Sequence, residues 1–145
     1  YCGDILQWDY KKLHFVPDVI WASPPCDQYS RARTTGGPRN LRLADKLVAK
    51  AVEIINYFEK LNPALIWFCE NGRTTMLWNR EVAKTLWPRV QLSYCQYGKP
   101  YRKNTTIATN AIWDPLPKKC NPKTCPMMEN GVHLFSAQQG PSKRK

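Results

Sequence analysis

The sequence predicts an α/β fold whose sheet is at least partly parallel. Two short apolar runs, Val19–Ala22 and residues 64–69, are typical of β-strands, and each ends abruptly at polar or proline residues. Between them, Leu41–Leu61 carries apolar residues at three- and four-residue spacing, which is the pattern of an amphipathic helix. Strand, helix and strand on this spacing form a βαβ unit, in which the two strands run parallel.

The first apolar run has no polar break, so we expect Val19–Ala22 to be a buried strand. Ser23, Pro24 and Pro25 end it, and Cys26 follows at its C-terminal end. Ligands of open α/β sheets bind at that edge, which makes Cys26 a candidate nucleophile. The alternative is an inert, structural cysteine, because reactivity depends on the environment of the thiol.

The segments around this unit are predicted to be irregular. Residues 1–9 read as the end of a strand and a turn. Residues 31–40 hold two glycines, a proline and three arginines, which indicates a mobile loop able to close over a phosphate backbone; a solvated linker is the alternative. Asn40 can cap the helix that follows, and Asn62 with Pro63 ends it.

The second half of the chain contains a predicted short helix and a predicted hairpin. Residues 75–87 are assigned to the helix, and residues 90–97 and 105–113 to paired strands joined by a turn with glycine and proline. Beyond the hairpin the chain is rich in proline, lysine and cysteine. We therefore divide it into a domain of residues 1–113 and an extension of residues 114–145. A basic tail runs from residue 139, and Trp21 and Trp67 are predicted to lie in the core.

The charge balance indicates a polyanionic partner. The 145 residues include 22 Lys+Arg against 11 Asp+Glu, a formal net charge of +11, with 43% hydrophobic residues. Basic residues interleaved with aromatic ones favour nucleic acid over a merely basic surface. No apolar run is long enough to span a membrane, and no signal-peptide pattern is present.

The six cysteines fit a reduced, cytoplasmic protein better than a disulfide framework, because three lie at or near predicted strand ends. Cys120, Cys125 and His133 are weak candidates for a zinc site, with Cys95 as a conceivable fourth ligand. Their spacing is not that of a standard zinc ribbon. We therefore favour free thiols in a proline-rich loop and predict no metal.

Cys26 and Glu70 follow neighbouring predicted strands and together suit pyrimidine chemistry. A thiolate can add to C6 of cytosine and turn C5 into a carbon nucleophile. A carboxylic acid at N3 assists by neutralising the developing charge. C5 can then accept a methyl group from a sulfonium donor, after which a base removes the C5 proton and the thiol is expelled.

Four short motifs, in order, resemble the cytosine-C5 DNA methyltransferase family, most closely its small phage or bacterial members. They are Gly3-Asp4-Ile5, Pro24-Pro25-Cys26 with Tyr29-Ser30, Glu70-Asn71, and residues 96–106 with Arg102. The resemblance implies a partial Rossmann-like methyltransferase sheet with a C-terminal β-hairpin. It also implies S-adenosylmethionine as cofactor and DNA as substrate, in a bacterial or phage-infected cell. The target base would leave the duplex stack to reach Cys26.

The resemblance also implies roles for individual residues. Cys26 is the nucleophile, Glu70 the partner of N3, and Arg102 a contact of the cytosine or its phosphate. Asp4 contacts the adenine of the cofactor, with Ile5 and Pro24 beside it. Separately from the resemblance, the cluster of positive charge marks Arg31, Arg33, Arg39 and Lys103 as candidate nucleic-acid contacts.

The departures from the family pattern lead to further expectations. Gly72 stands where the family has proline, and we expect it to loosen the loop carrying Glu70. The glycine-rich cofactor motif is absent, so we expect this chain alone to bind the cofactor weakly and to be inactive. A missing N-terminal segment or a partner chain would complete the cofactor site. An inactive nucleic-acid-binding module and an RNA methyltransferase are the alternative functions.

Overall fold

The computed structural model describes residues 2–137 and 140–141. One α-helix is seen in this part of the chain, α1 at Leu41–Leu61. The longer strands are β1 Val19–Ala22, β2 Ile66–Gly72, β3 Arg89–Ser93 and β4 Asn104–Thr109. Two-residue strands follow: β5 Met128–Glu129, β6 Val132–His133, β7 Phe135–Ser136 and β8 Gly140–Pro141. No helix in the described residues is long and apolar enough to cross a membrane.

The four longer strands form one mixed sheet in the order β1-β2-β4-β3. β1 and β2 are parallel and are connected through α1, while β4 runs antiparallel to both β2 and β3. The predicted βαβ unit and the predicted hairpin are therefore both confirmed, and the fold is mixed α/β.

Helix α1 forms as its sequence predicts. The Asn40 side chain accepts a hydrogen bond from the Leu43 amide at 3.0 Å, which satisfies one free N–H of the first turn. The apolar stripe buries residues such as Val48 and Ile55 against Trp67 on β2. Trp67 is thus in the core, as predicted.

The prediction that β1 is a buried strand was wrong. β1 is an edge strand, and Val19 and Trp21 are 58% and 56% exposed. In the described residues, α1 covers the face that carries Ile20, while Val19 and Trp21 point to the opposite face. An unbroken apolar run therefore does not imply burial on both faces here, and Trp21 is not a core residue.

Two further local predictions were also wrong. Residues 75–87 form the short 3₁₀ turns Met76–Asn79 and Glu81–Ala83 instead of an α-helix. The Arg89 guanidinium donates to backbone carbonyls of this segment, including that of Leu86 at 2.7 Å, and so holds it in a non-helical path. Residues 2–9 contain turns and no strand.

The segment after the hairpin packs back onto it. The Ser93 amide donates to the Lys118 carbonyl and the Ser93 hydroxyl accepts from the Cys120 amide, both at 3.0 Å. The Lys118 amide donates to the Tyr97 hydroxyl at 2.9 Å. The predicted domain boundary at residue 113 stays a prediction. The predicted basic tail from residue 139 lies outside the described residues except at 140–141.

Candidate active site

The parallel pairing of β1 and β2 places Cys26 and Glu70 at the same edge of the sheet. Ala22 lies opposite Cys69, so the residues that follow each of them leave the pair side by side. The Asn71 side-chain amide joins the two segments, because it donates to the Pro24 carbonyl at 3.0 Å. Cys26 is exposed just beyond this link.

Glu70 occupies a more enclosed position than the sequence predicts. It lies near the C-terminal end of β2, paired with Ile107, so its predicted position at a strand end is confirmed. The expected loop around it was wrong, because the strand continues to Gly72. Its side chain is only 13% exposed, and the Lys103 ammonium lies 3.6 Å from Oε1. Partial burial disfavours the charged form of Lys103 and by itself would lower its pKa. The nearby Glu70 and Tyr94 have the larger combined effect, so the pKa of Lys103 is raised. Lys103 thus contacts the proposed catalytic carboxylate, a pairing that sequence reasoning missed.

The turn that carries Cys26 is anchored through Tyr29, which is fully buried. The Tyr29 hydroxyl donates to Asp45 on α1 at 2.9 Å, and its carbonyl accepts from the Met76 amide at 2.9 Å. Asp45 also pairs with Arg80. Burial first, and then Asp45, raises the pKa of Tyr29, whereas the hydrogen bond from Arg80 lowers that of Asp45. This network fixes the start of the loop after Cys26.

Two of the three loop arginines are used within the loop. Arg33 donates to the Gln28 side chain at 2.8 Å and to the Gly37 carbonyl at 3.0 Å. Arg39 donates to the Gln28 carbonyl at 2.9 Å and to the Arg33 carbonyl at 3.3 Å. Arg31 is exposed. Their predicted contacts with nucleic acid stay predictions, but Arg33 and Arg39 also shape the loop.

A cavity of about 450 Å³ lies beside the end of β1. All three residues predicted to contact a cofactor line it, namely Asp4, Ile5 and Pro24. Its other walls are mostly apolar and include Trp8 and Trp21. An Asp4 carboxylate oxygen accepts from the Leu6 amide at 2.9 Å, which fixes the side chain in the turn. The size and the apolar lining are those of a small-molecule site.

A second, more open cleft of about 780 Å³ runs between the loop after Cys26, the start of β4 and the C-terminal segment. Arg73, Arg102 and Lys103 supply basic side chains to its lining, and His133 and Phe135 line it as well. Arg102 is exposed, which leaves its guanidinium accessible to a bound anion. The cleft thus carries several basic side chains, one of which, Lys103, also contacts Glu70.

Comparison with curated proteins finds a relative that spans the whole chain. The whole chain aligns with a probable DNA (cytosine-5)-methyltransferase of Frog virus 3 (isolate Goorha). The two are 33% identical over 167 aligned residues, which cover 74% of the relative. The chain belongs to the cytosine-C5 DNA methyltransferase family. No protein-family model matches it.

Within this methyltransferase family member, Gly72 is tightly packed. Its amide donates to the Asn71 side chain at 3.0 Å, and its carbonyl accepts from the Thr75 hydroxyl and the Trp78 indole. A Cβ atom at this position would lie 2.9 Å from Cγ2 of Thr75. The close approach of Thr75 explains why position 72 has a residue without a side chain. Glu70 is held in place by the pairing of β2 with β4, although a glycine lies two residues further on.

Proposed function

We propose that this protein transfers a methyl group from S-adenosylmethionine to C5 of cytosine in DNA, through a covalent adduct with Cys26. The observation that carries the proposal is the placement of an exposed Cys26 and an enclosed Glu70 at one sheet edge. The family membership of the chain supports the reaction, and the named activity of the viral relative supports DNA as the substrate.

Each side chain then has a defined task. The Cys26 thiolate adds to C6, and the electron pair of the C5–C6 double bond moves to C5. Glu70, in its acid form, donates a hydrogen bond at N3 and so stabilises the charge that develops on the ring. C5 would then take the methyl group from the sulfonium donor, whose sulfur would leave as a neutral thioether. Once a base removes the C5 proton, the double bond re-forms and Cys26 leaves as thiolate. Lys103 is placed to hold the Glu70 side chain and to neutralise it when ionised.

The cavity near Asp4 fits the cofactor by size and by chemistry. S-adenosylmethionine supplies an electrophilic methyl group on a sulfonium. The apolar walls suit an adenine ring, and the Asp4 carboxylate is an acceptor for its exocyclic amine. We accordingly propose that β1 and β2, connected by α1, belong to a Rossmann-like fold that binds the cofactor. Residues 1–113 would form its catalytic portion.

The substrate would approach the basic cleft, where Arg102 and Arg73 face a phosphate backbone. A base inside a duplex cannot reach Cys26, so the cytosine is expected to flip out of the stack. The Cys26 turn, anchored by Tyr29, then forms one side of the pocket for that base.

The test is covalent trapping with DNA that contains 5-fluorocytosine, in the presence of S-adenosylmethionine. It uses the full-length natural protein, because this chain alone is expected to bind the cofactor weakly. Fluorine is not eliminated as a proton is, so an active enzyme stays attached to the DNA. Cys26→Ala should abolish the adduct, whereas Cys2→Ala, at the other exposed cysteine, should keep it. An equal adduct from Cys26→Ala would refute the assignment. DNA binding without any adduct would favour the inactive binding module, and a matched RNA arm tests the alternative substrate.

A further inference from the structure

Four side chains of metal-ligand type, none of them part of the proposed methyl-transfer chemistry, converge at the end of the hairpin. Their ligand atoms all lie within 4.8 Å of one another, and the residues are Cys95, Cys120, Cys125 and His133. Cys95 lies on the 3₁₀ turn Tyr94–Tyr97 after β3, and His133 lies on β6. Cys95 and His133 are thus far apart in the sequence but close in space, so the cluster does not arise from one short loop.

The distances in this cluster suit a tetrahedral ion. His133 Nε2 lies 3.4 Å from the Cys120 sulfur and 3.6 Å from the Cys125 sulfur. Zinc–sulfur bonds of about 2.3 Å and zinc–nitrogen bonds of about 2.0–2.1 Å give a tetrahedral edge of about 3.6 Å between such atoms. Both observed distances are near that edge, and three cysteines with one histidine are a standard ligand set of structural zinc sites.

The surroundings of the sulfur atoms match those of metal-bound thiolates. The Gln96 side-chain amide lies 3.8 Å from the Cys95 sulfur and 3.7 Å from the Cys125 sulfur, with its N–H groups facing both. N–H donors of this kind stabilise the negative charge that thiolates keep when they bind a metal. Cys95 and Cys125 are buried, which would keep such an ion from solvent.

We propose a structural Zn²⁺ site whose four ligands are Cys95, Cys120, Cys125 and His133. A disulfide would use two of the sulfur atoms and give no role to the third or to the imidazole. The ion would fasten the C-terminal segment to the end of β3, and so fix the wall of the basic cleft that contains His133 and Phe135. The proposal does not depend on the methyl-transfer reaction, because the ligand set leaves no open position for a substrate.

The decisive measurement is the zinc content of the full chain, expressed without a histidine tag in zinc-containing medium and purified under a reducing agent. We expect one zinc per chain. Cys120→Ser and His133→Ala should retain almost none, while Cys2→Ser, at an exposed cysteine outside the cluster, should retain the full equivalent. A chelator should lower the melting temperature of the wild type.

A spectroscopic measurement on the wild type keeps the test independent of how the variants fold. Replacement of the metal by Co²⁺ should produce thiolate-to-cobalt charge-transfer bands and the visible bands of tetrahedral cobalt. Reduced, folded wild type that holds no stoichiometric zinc and gives no such bands would overturn the proposal. A disulfide between two of the three cysteines, found by alkylation and mass spectrometry of unreduced protein, would also overturn it.

Discussion

Glu70 is largely enclosed beside the Lys103 ammonium, and the proposed reaction requires its side chain to donate a hydrogen bond at N3 of the cytosine. Glu70→Gln keeps the shape and removes the acid. We expect turnover to fall by about 10²- to 10⁴-fold. Stability should change by less than about 1 kcal/mol, because the Lys103 partner is half exposed. Glu81→Gln, at a fully exposed ion pair, is the control for loss of a charge. Unfolding at unchanged specific activity would show that Glu70 is structural.

Ionisation of Asp45 is expected to stabilise the folded protein in a pH-dependent way. The Arg80 hydrogen bond, helped by Tyr29, keeps the pKa of Asp45 below its usual value. The stabilisation from the ionised form is then complete above the unfolded-state pKa near 4, and is lost as pH falls through the lowered pKa. Urea midpoints of the wild type and Asp45→Asn should therefore differ at pH 7 and converge as the pH falls below the lowered pKa of Asp45. A constant difference would mean that ionisation of Asp45 does not contribute.

At the residue scale, the sequence predicts which groups meet only where a motif carries the information. Cys26 and Glu70 could be placed at one edge because strand ends meet there whatever the details of packing. The pairing of Lys103 with Glu70 depends on how β4 returns alongside β2, across 33 positions of the chain. No local pattern reports such a contact.

At the element scale, the fit of Gly72 predicts that the proline of the family motif would be harmful here. Gly72→Pro loses the N–H that bonds to Asn71, and its side chain meets Thr75. We expect a loss of stability of about 1–3 kcal/mol and reduced turnover, in place of a gain from rigidity. Denaturant unfolding and methyl-transfer assays would measure both.

Two substitutions by alanine, which keeps the backbone N–H, separate the steric effect from the loss of the hydrogen bond. The added Cβ meets Thr75 in Gly72→Ala, whereas at Gly37 it has no neighbour within 4 Å. Gly72→Ala should be destabilised and Gly37→Ala should stay near wild type. If Gly72→Pro gained activity instead, the strand end would be looser than its contacts indicate.

Elements with strong local periodicity could be predicted, and those shaped by distant groups could not. Helix α1 follows from its apolar stripe and its Asn40 cap. Residues 75–87 have apolar residues suited to a helix, yet the Arg89 guanidinium takes up three of their backbone carbonyls. Likewise, β1 reads as fully buried because the sequence does not say which faces of the sheet are covered.

For the whole molecule, the sequence predicts the charge but not the surface that displays it. The C-terminal segment reads as an irregular extension, whereas it folds onto the hairpin and forms one wall of the basic cleft. This docking uses backbone hydrogen bonds and the cysteine–histidine cluster, which connect positions about 25–40 residues apart. All four residues of the cluster could be named as candidate ligands from the sequence, but only the fold shows that they meet.

The net charge of +11 predicts that phosphate contacts dominate DNA binding. The logarithm of the association constant should fall linearly with the logarithm of salt concentration, with a slope of about −0.9 per neutralised phosphate on duplex DNA. Arg102→Ala should make that slope shallower by about one contact, equally for all sequences, because Arg102 is exposed in the cleft. Lys84→Ala, at an exposed lysine paired with Glu81, should leave it unchanged.

Arg33→Ala should combine weaker binding with a less stable loop, because Arg33 bonds to Gln28 and Gly37. Fluorescence anisotropy from low to high salt would measure these slopes, and a flat salt dependence of the wild type would contradict the electrostatic basis of the cleft.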